Sequence, residues 1–151
     1  KADLKSAQEG RAEAKEAIEK AQALREKEAS AFATESGDYK TNIAAMKKAV
    51  AAISKGMGEA FLQTRSASIV KQLSISLDIS AVDRDILTSF LTQSDGYAPA
   101  SGQIVGILKQ MTDTMEKDLA DATAAEEAAL KDFDGLMKAK TKEVDTLTKS
   151  I

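Results

Sequence analysis

The side chains of residues 2–35 form two rows with a seven-residue period. One row contains Leu4, Arg11, Ile18, Arg25 and Phe32, and the other contains Ala7, Ala14, Ala21 and Glu28. A seven-residue spacing brings such rows onto the face of a helix that packs against another helix. The stretch lacks proline and is rich in strong helix formers, so it predicts a first helix from Ala2 to about Glu35. The charged residues in the rows predict a seam that is exposed on one side.

Turn-forming residues follow at Ser36, Gly37 and Asp38, where the sequence predicts a chain reversal. A second apolar stripe with alternating steps of four and three residues then runs to a break at 56–58. This stripe contains Tyr39, Ile43, Met46, Val50, Ile53 and Met57. The pattern predicts a second, separate helix between the turn and the break.

The middle of the chain carries weaker signals. Residues 59–77 have apolar side chains at helical spacing, although residues 73–77 alternate as a strand does, and we interpret the segment as helix. Ser80 and Asp83 are spaced as in a helix cap and predict a short helix ending near Gln93. A loop at 94–100 holds the single proline, and Ser101 is placed to cap the next helix.

The residues from Gly102 to Ser150 contain no proline and predict one helix, roughly 70 Å long at a rise of about 1.5 Å per residue. Apolar residues recur every eleven positions, as in the row Met111, Ala122, Phe133 and Val144. An eleven-residue repeat is typical of a nearly straight helix. We expect such a helix to leave part of its apolar stripe for neighbours to cover. The predicted assembly seam contains Ile104, Leu108, Met111, Leu119, Phe133, Leu136 and Leu147.

These elements predict an all-α fold, an elongated helical bundle or coiled coil with long N- and C-terminal helices and shorter helices between them. We expect one elongated domain over residues 1–151, with helical halves 1–93 and 101–151 joined by the loop 94–100. The composition agrees with thin seams between helices, because aromatic residues make up only 4% of the chain and alanine is abundant.

The composition also bears on chemistry. The chain has no Cys and no His, which removes thiol nucleophiles, imidazole bases and zinc sites built from these residues. The 21 basic and 24 acidic residues give a net charge of −3, which does not favour nucleic-acid binding. No apolar run reaches the roughly 18 residues of a membrane span. The sequence predicts a protein that is not an enzyme, has no defined cofactor and does not cross a membrane.

Residues 113–134 form an acidic band in which eight carboxylates face two lysines, and the basic residues Lys138, Lys140 and Lys142 follow. The band has two interpretations: an ordinary solvated helix face, or a charged surface that pairs with basic bands of neighbouring molecules or collects divalent cations diffusely. Calcium is the cation we expect in the second case. The residues for diffuse cation binding would be Asp113, Glu116, Asp118, Asp121, Glu126 and Glu127.

The segment Asp132–Glu143 resembles a calcium-binding loop only in part. Asp132 and Asp134 open it and Glu143 stands at the twelfth position, but Leu136 and Met137 occupy positions that need an oxygen ligand and a glycine. The segment predicts continuous helix, with no specific metal site.

The stretch Tyr97–Met111, read with Asp113, Met115 and Glu116, resembles a segment of the trichocyst matrix proteins, helical secretory-granule proteins of ciliates and related protists. The helical, alanine-rich flanks agree in character. The resemblance implies a proteolytically processed precursor, with which Lys1 as first residue agrees. It also implies products that crystallise in an extrusive organelle and expand on calcium-triggered discharge. The family offers no catalytic residues to carry over.

Two functions stay open from the sequence. The first is a structural protein that assembles with itself or with homologous helical subunits into an ordered filament or paracrystalline matrix. Its location would be the lumen of a secretory granule or extrusive organelle, and later the cell exterior. The second is a coiled-coil adaptor that offers a helical groove to another protein. A cytoplasmic location would apply if the resemblance did not hold.

Overall fold

The computed structural model describes residues 1–92 and 101–151. Five helices lie in these ranges: α1 (Ala2–Ser54), α2 (Gly58–Phe61), α3 (Arg65–Ser76), α4 (Ala81–Thr92) and α5 (Ser101–Lys149). No strand occurs in either range. The prediction of an all-α fold with long terminal helices and shorter ones between is confirmed, while the coiled-coil geometry stays a prediction. The predicted loop 94–100 lies outside the described residues.

The predicted turn at Ser36–Gly37–Asp38 is wrong, because α1 continues through it as one helix to Ser54. The two apolar stripes are in phase: the step from Phe32 to Ser36 is four residues and the step from Ser36 to Tyr39 is three. One helix can therefore bury both stripes, and a glycine inside a helix costs only about 1 kcal/mol relative to alanine. The burial of the stripe outweighs that local cost.

The predicted break after α1 is confirmed, and its geometry is that of a glycine-terminated helix. Gly56 has φ of 74°, a left-handed conformation that favours glycine. The amide of Gly56 donates to the carbonyl of Ile53 at 3.1 Å, and the amide of Met57 donates to the carbonyl of Ala52 at 2.8 Å. These two bonds satisfy carbonyls at the helix end, the pattern known as a Schellman motif.

The helical interpretation of residues 59–77 is confirmed except at 62–64, where the chain breaks between α2 and α3, and α3 extends to Ser76 with no strand in this segment. The predicted cap before α4 is confirmed, because the amide of Asp83 donates to the Ser80 hydroxyl at 3.1 Å. Arg84 on α4 donates to the carbonyls of Ser74 and Leu77, each at 3.0 Å. This arginine supplies donors to the C-terminal end of α3 and ties the two helices together.

The chain divides into two compact units by its contacts: unit 1 contains residues 1–35 and 121–151, and unit 2 contains residues 36–120. Unit 2 has a continuous apolar core supplied by α1, α2, α3, α4 and α5. Its most deeply buried side chains are Met46, Val70, Leu87, Ile104, Leu108 and Met111. The prediction that all 151 residues form one domain stays a prediction.

Unit 1 is an antiparallel pair of helix segments. A Cβ placed on Gly10 of α1 would lie 3.4 Å from a Leu147 methyl group of α5, and Arg25 of α1 pairs with Glu126 of α5. Its buried residues are Ala7, Ala14 and Arg25. Both alanines belong to the predicted seven-residue rows, so the thin, alanine-lined seam expected from the sequence is present in this unit.

Candidate assembly surfaces

The predicted assembly seam is distributed over both units. Ile104, Leu108 and Met111 are buried in the core of unit 2, and Leu119 packs against that core as a partly buried residue. These side chains are covered by their own chain, so they stabilise unit 2 itself.

The other three seam residues belong to unit 1. Phe133 and Leu147 are half-buried, whereas Leu136 is 45% exposed. Leu24 and Leu130 are also exposed, by 58% and 48%. Large apolar side chains remain accessible along this helix pair, and a surface of this kind marks a site of association more often than an isolated exposed leucine does.

A groove runs along one side of unit 1, and we call it the acidic groove. Its apolar lining contains Ala21, Leu24, Ala129, Phe133 and Leu136. Arg25, Glu28 and Asp132 complete it. The small alanines let another helix approach closely, and the two leucines and the phenylalanine offer apolar area for it to cover.

Arg25 is buried beside this groove with 7% of its surface exposed. Its guanidinium donates to Glu28 on the same helix at 2.5 Å and to Glu126 on α5. The Nε atom is buried without a hydrogen-bond partner. Arg25 is therefore a charged residue inside an alanine seam that depends on its carboxylates to offset desolvation. The groove lining contains the carboxylates of Glu28 and Asp132 against the single guanidinium of Arg25, so the groove has an acidic balance.

Unit 2 has a second apolar depression, which we call the basic hollow. It is lined by Lys48, Ala52, Met57, Ala60, Phe61, Thr64 and Ser66. Met57 is 55% exposed at its edge. Residues 47–66 contain the basic residues Lys47, Lys48, Lys55 and Arg65, and Glu59 is their single acidic residue. Lys48 is the charged residue of the lining itself, so the hollow has the opposite charge balance to the acidic groove.

The acidic residues proposed for diffuse cation binding are spread over both units. Glu116 pairs with Lys47 at 2.9 Å, and Glu126 pairs with Arg25. Asp118 borders a depression together with Asp78 and Asp83. Within residues 1–92 and 101–151, no group of three or more acidic side chains is arranged to hold a metal ion. Diffuse calcium binding stays a prediction.

The basic stripe after the acidic band is partly neutralised on its own helix. Lys138 lies 2.9 Å from Asp134, and Lys140 lies 2.8 Å from Glu143. The hydrogen bond to Asp134 and the charge of that carboxylate raise the pKa of Lys138. Both pairs are exposed and therefore weak, so they leave these lysines able to exchange partners.

Sequence reasoning missed Leu24 and Lys48 as surface residues. Leu24 lies one position before Arg25 and outside the two seven-residue rows. A leucine outside the packed rows of an alanine-rich helix was the feature that could have indicated an apolar surface groove there. Lys48 had no comparable signal, because its neighbours Met57 and Phe61 come together with it only through the turn at Gly56.

The fold and these surfaces define an all-α protein with apolar surfaces flanked by charge and with no helix in its described part long and apolar enough to cross a membrane. The model of the family described as Trichocyst matrix protein T1-F matches residues 1–151, and the chain belongs to this family. Comparisons with curated proteins and with solved structures give no match. The resemblance read from the sequence is confirmed, and the family name indicates a structural role in the matrix of the trichocyst, an extrusive organelle.

Proposed function

We propose that this protein is a structural subunit that assembles with itself or with homologous helical subunits into the ordered matrix of an extrusive secretory organelle. The family assignment over the whole chain supports a matrix role. The proposal assigns no reaction to the chain, and it places the protein in the organelle lumen and, after discharge, outside the cell.

The observation that carries the proposal is the uncovered apolar surface of unit 1. Leu24, Leu130 and Leu136 are each exposed by more than two fifths of their surface. The seam between the two helix segments buries two alanines and Arg25 but no large apolar side chain, so it gains little hydrophobic stabilisation by itself. Long helices in water depend on packing for most of their stability. Contacts with neighbouring subunits would supply that packing.

Calcium has a secondary role in the proposed assembly. The band at 113–134 carries eight carboxylates, and divalent cations gathered there would reduce repulsion between subunits. Diffuse screening of this kind needs no coordination cage. It predicts that calcium changes the extent or spacing of assembly at concentrations well above those of a specific site.

Electron microscopy and sedimentation of the purified protein test the proposal, each with and without calcium. We expect periodic filaments or sheets, and pelleting that begins above a threshold protein concentration. Monodisperse particles at every concentration and in both buffers would overturn the matrix role.

The alternative function is an adaptor that binds another protein's helix, and the acidic groove is the observation that favours it. The same experiment separates the two. An adaptor remains monodisperse alone, whereas a matrix subunit associates without any other protein.

A further inference from the structure

Two surfaces of the same chain share a chemistry but differ in charge. The acidic groove of unit 1 presents Leu24, Phe133 and Leu136 beside Asp132. The basic hollow of unit 2 presents Met57 and Phe61 beside Lys48. Leu24 and Leu136 in the groove and Met57 in the hollow are exposed, whereas Phe61 is buried. In each case exposed apolar side chains lie next to a charged residue, which is the arrangement of an interface with a dry centre and a polar edge.

Charge decides which surfaces pair. If two acidic grooves met, Asp132 of one copy would face the carboxylates of the other. If two basic hollows met, Lys48 would face the other copy's lysines. Like charges brought together across an interface disfavour association, whereas opposite charges steer it and fix its orientation. The groove of one copy and the hollow of another are the complementary combination.

We propose that the acidic groove of one copy receives the basic hollow of a second copy, with Leu24 and Leu136 covering Met57 and with Asp132 facing Lys48. This inference rests on the proposed function, because it names the contact through which the subunits assemble. The two surfaces are different parts of the chain, so each copy keeps one of each free after the first contact. A heterologous contact of this kind continues into an open series unless its rotation closes a ring.

The first test removes the apolar part of each surface. We expect the double variant L24Q/L136Q and the single variant M57Q to raise the threshold concentration for pelleting about tenfold, equivalent to about 1.4 kcal/mol. Matched controls are I75Q and V82Q, whose parent side chains are 69% and 67% exposed but line neither surface. Controls that assemble like the wild type, with helicity by circular dichroism unchanged in every variant, support the inference.

The second test exchanges charges between copies. The variant D132K has a basic groove and keeps a basic hollow, and the variant K48E has an acidic hollow and keeps an acidic groove. Each alone is expected to assemble about threefold less readily at low salt, as like charges at a rim predict. An equimolar mixture pairs basic with acidic surfaces at every contact, and we expect it to assemble at the wild-type threshold.

The outcomes separate this inference from the proposed function. If the wild type assembles and the variants L24Q/L136Q and M57Q assemble at the same threshold concentration, the groove-to-hollow contact is overturned and the matrix role is left intact. A mixture of D132K and K48E that assembles no better than either alone overturns it as well. A wild-type protein that never assembles overturns both the contact and the matrix role.

Discussion

The two units of this chain bury their apolar side chains to different extents. Unit 2 places large side chains such as Met46, Leu87 and Leu108 in a core with essentially no exposure. The buried residues of unit 1 are two alanines and one arginine. The difference shows that helices of similar composition become self-sufficient only when several of them surround a common core, and that a pair leaves apolar surface for a neighbour.

The largest expected effect comes from removing a core side chain of unit 2. We expect Leu108→Ala to lower the free energy of unfolding by about 2–5 kcal/mol, because the lost methyl groups leave a cavity in a fully packed site. Urea unfolding followed by circular dichroism measures it. The control Leu130→Ala in unit 1 should change stability by less than about 0.5 kcal/mol, since its side chain is 48% exposed. Equal losses at both positions would contradict the contrast between the units.

The second prediction concerns the charged residue in the seam of unit 1. Glu126→Ala leaves the buried Arg25 guanidinium with Glu28 as its remaining carboxylate, and we expect a loss of about 2 kcal/mol. Hydrogen exchange should quicken in residues 1–35 and 121–151 and stay unchanged in the core of unit 2. The double variant R25M/E126L serves as the comparison, because replacing the pair with apolar residues should restore most of the protection. Quickened exchange throughout unit 2 would argue against separate local stability.

The third prediction contrasts two glycines of α1 and its end. Gly37→Ala should stabilise the protein by about 0.5–1 kcal/mol, because the position is helical and a Cβ there meets nothing within 4 Å. Gly56→Ala should destabilise it by about 1 kcal/mol, because φ is 74°. Thermal unfolding of both variants measures the pair. A destabilising Gly37→Ala would reinstate the turn that the sequence predicts there.

The smallest expected effect is at an exposed ion pair of unit 1. Lys20 donates a hydrogen bond to Glu16, and this bond, with the charge of Lys20, lowers the pKa of the Glu16 carboxyl from its ordinary value of 4.5. The stabilisation is present above that ordinary value and is lost as the pH falls through the lowered pKa of the folded state. Glu16→Gln should therefore lower the melting temperature slightly at pH 7 and leave it unchanged near pH 2. A larger effect in acid than at neutral pH would contradict the assigned pairing.

Much of the fold follows from local sequence. The helix-forming composition, the end of α1 at the glycine pair, the cap at Ser80 and the uninterrupted α5 are all encoded within a few turns of the chain, where propensity and capping act. The alanine rows also predicted the thin seam of unit 1, because Ala7 and Ala14 recur at the spacing of a packed face.

Other features depended on partners distant in sequence. Residues 36–38 are helical because burial of the apolar stripe on either side contributes more free energy than a local turn would. Arg25 pairs with Glu126, which lies 101 residues away in the sequence. The residue spacing within α1 does not indicate this pair.

The same distinction applies to the residues of the predicted assembly seam. The apolar residues and their place on one side of the long helices follow from the sequence alone. Ile104 and Leu108 are covered by their own chain while Leu136 is not, and this difference appears only in the folded chain. It arises because burial depends on how many helices surround a position, and a single helix's pattern carries no information about that number.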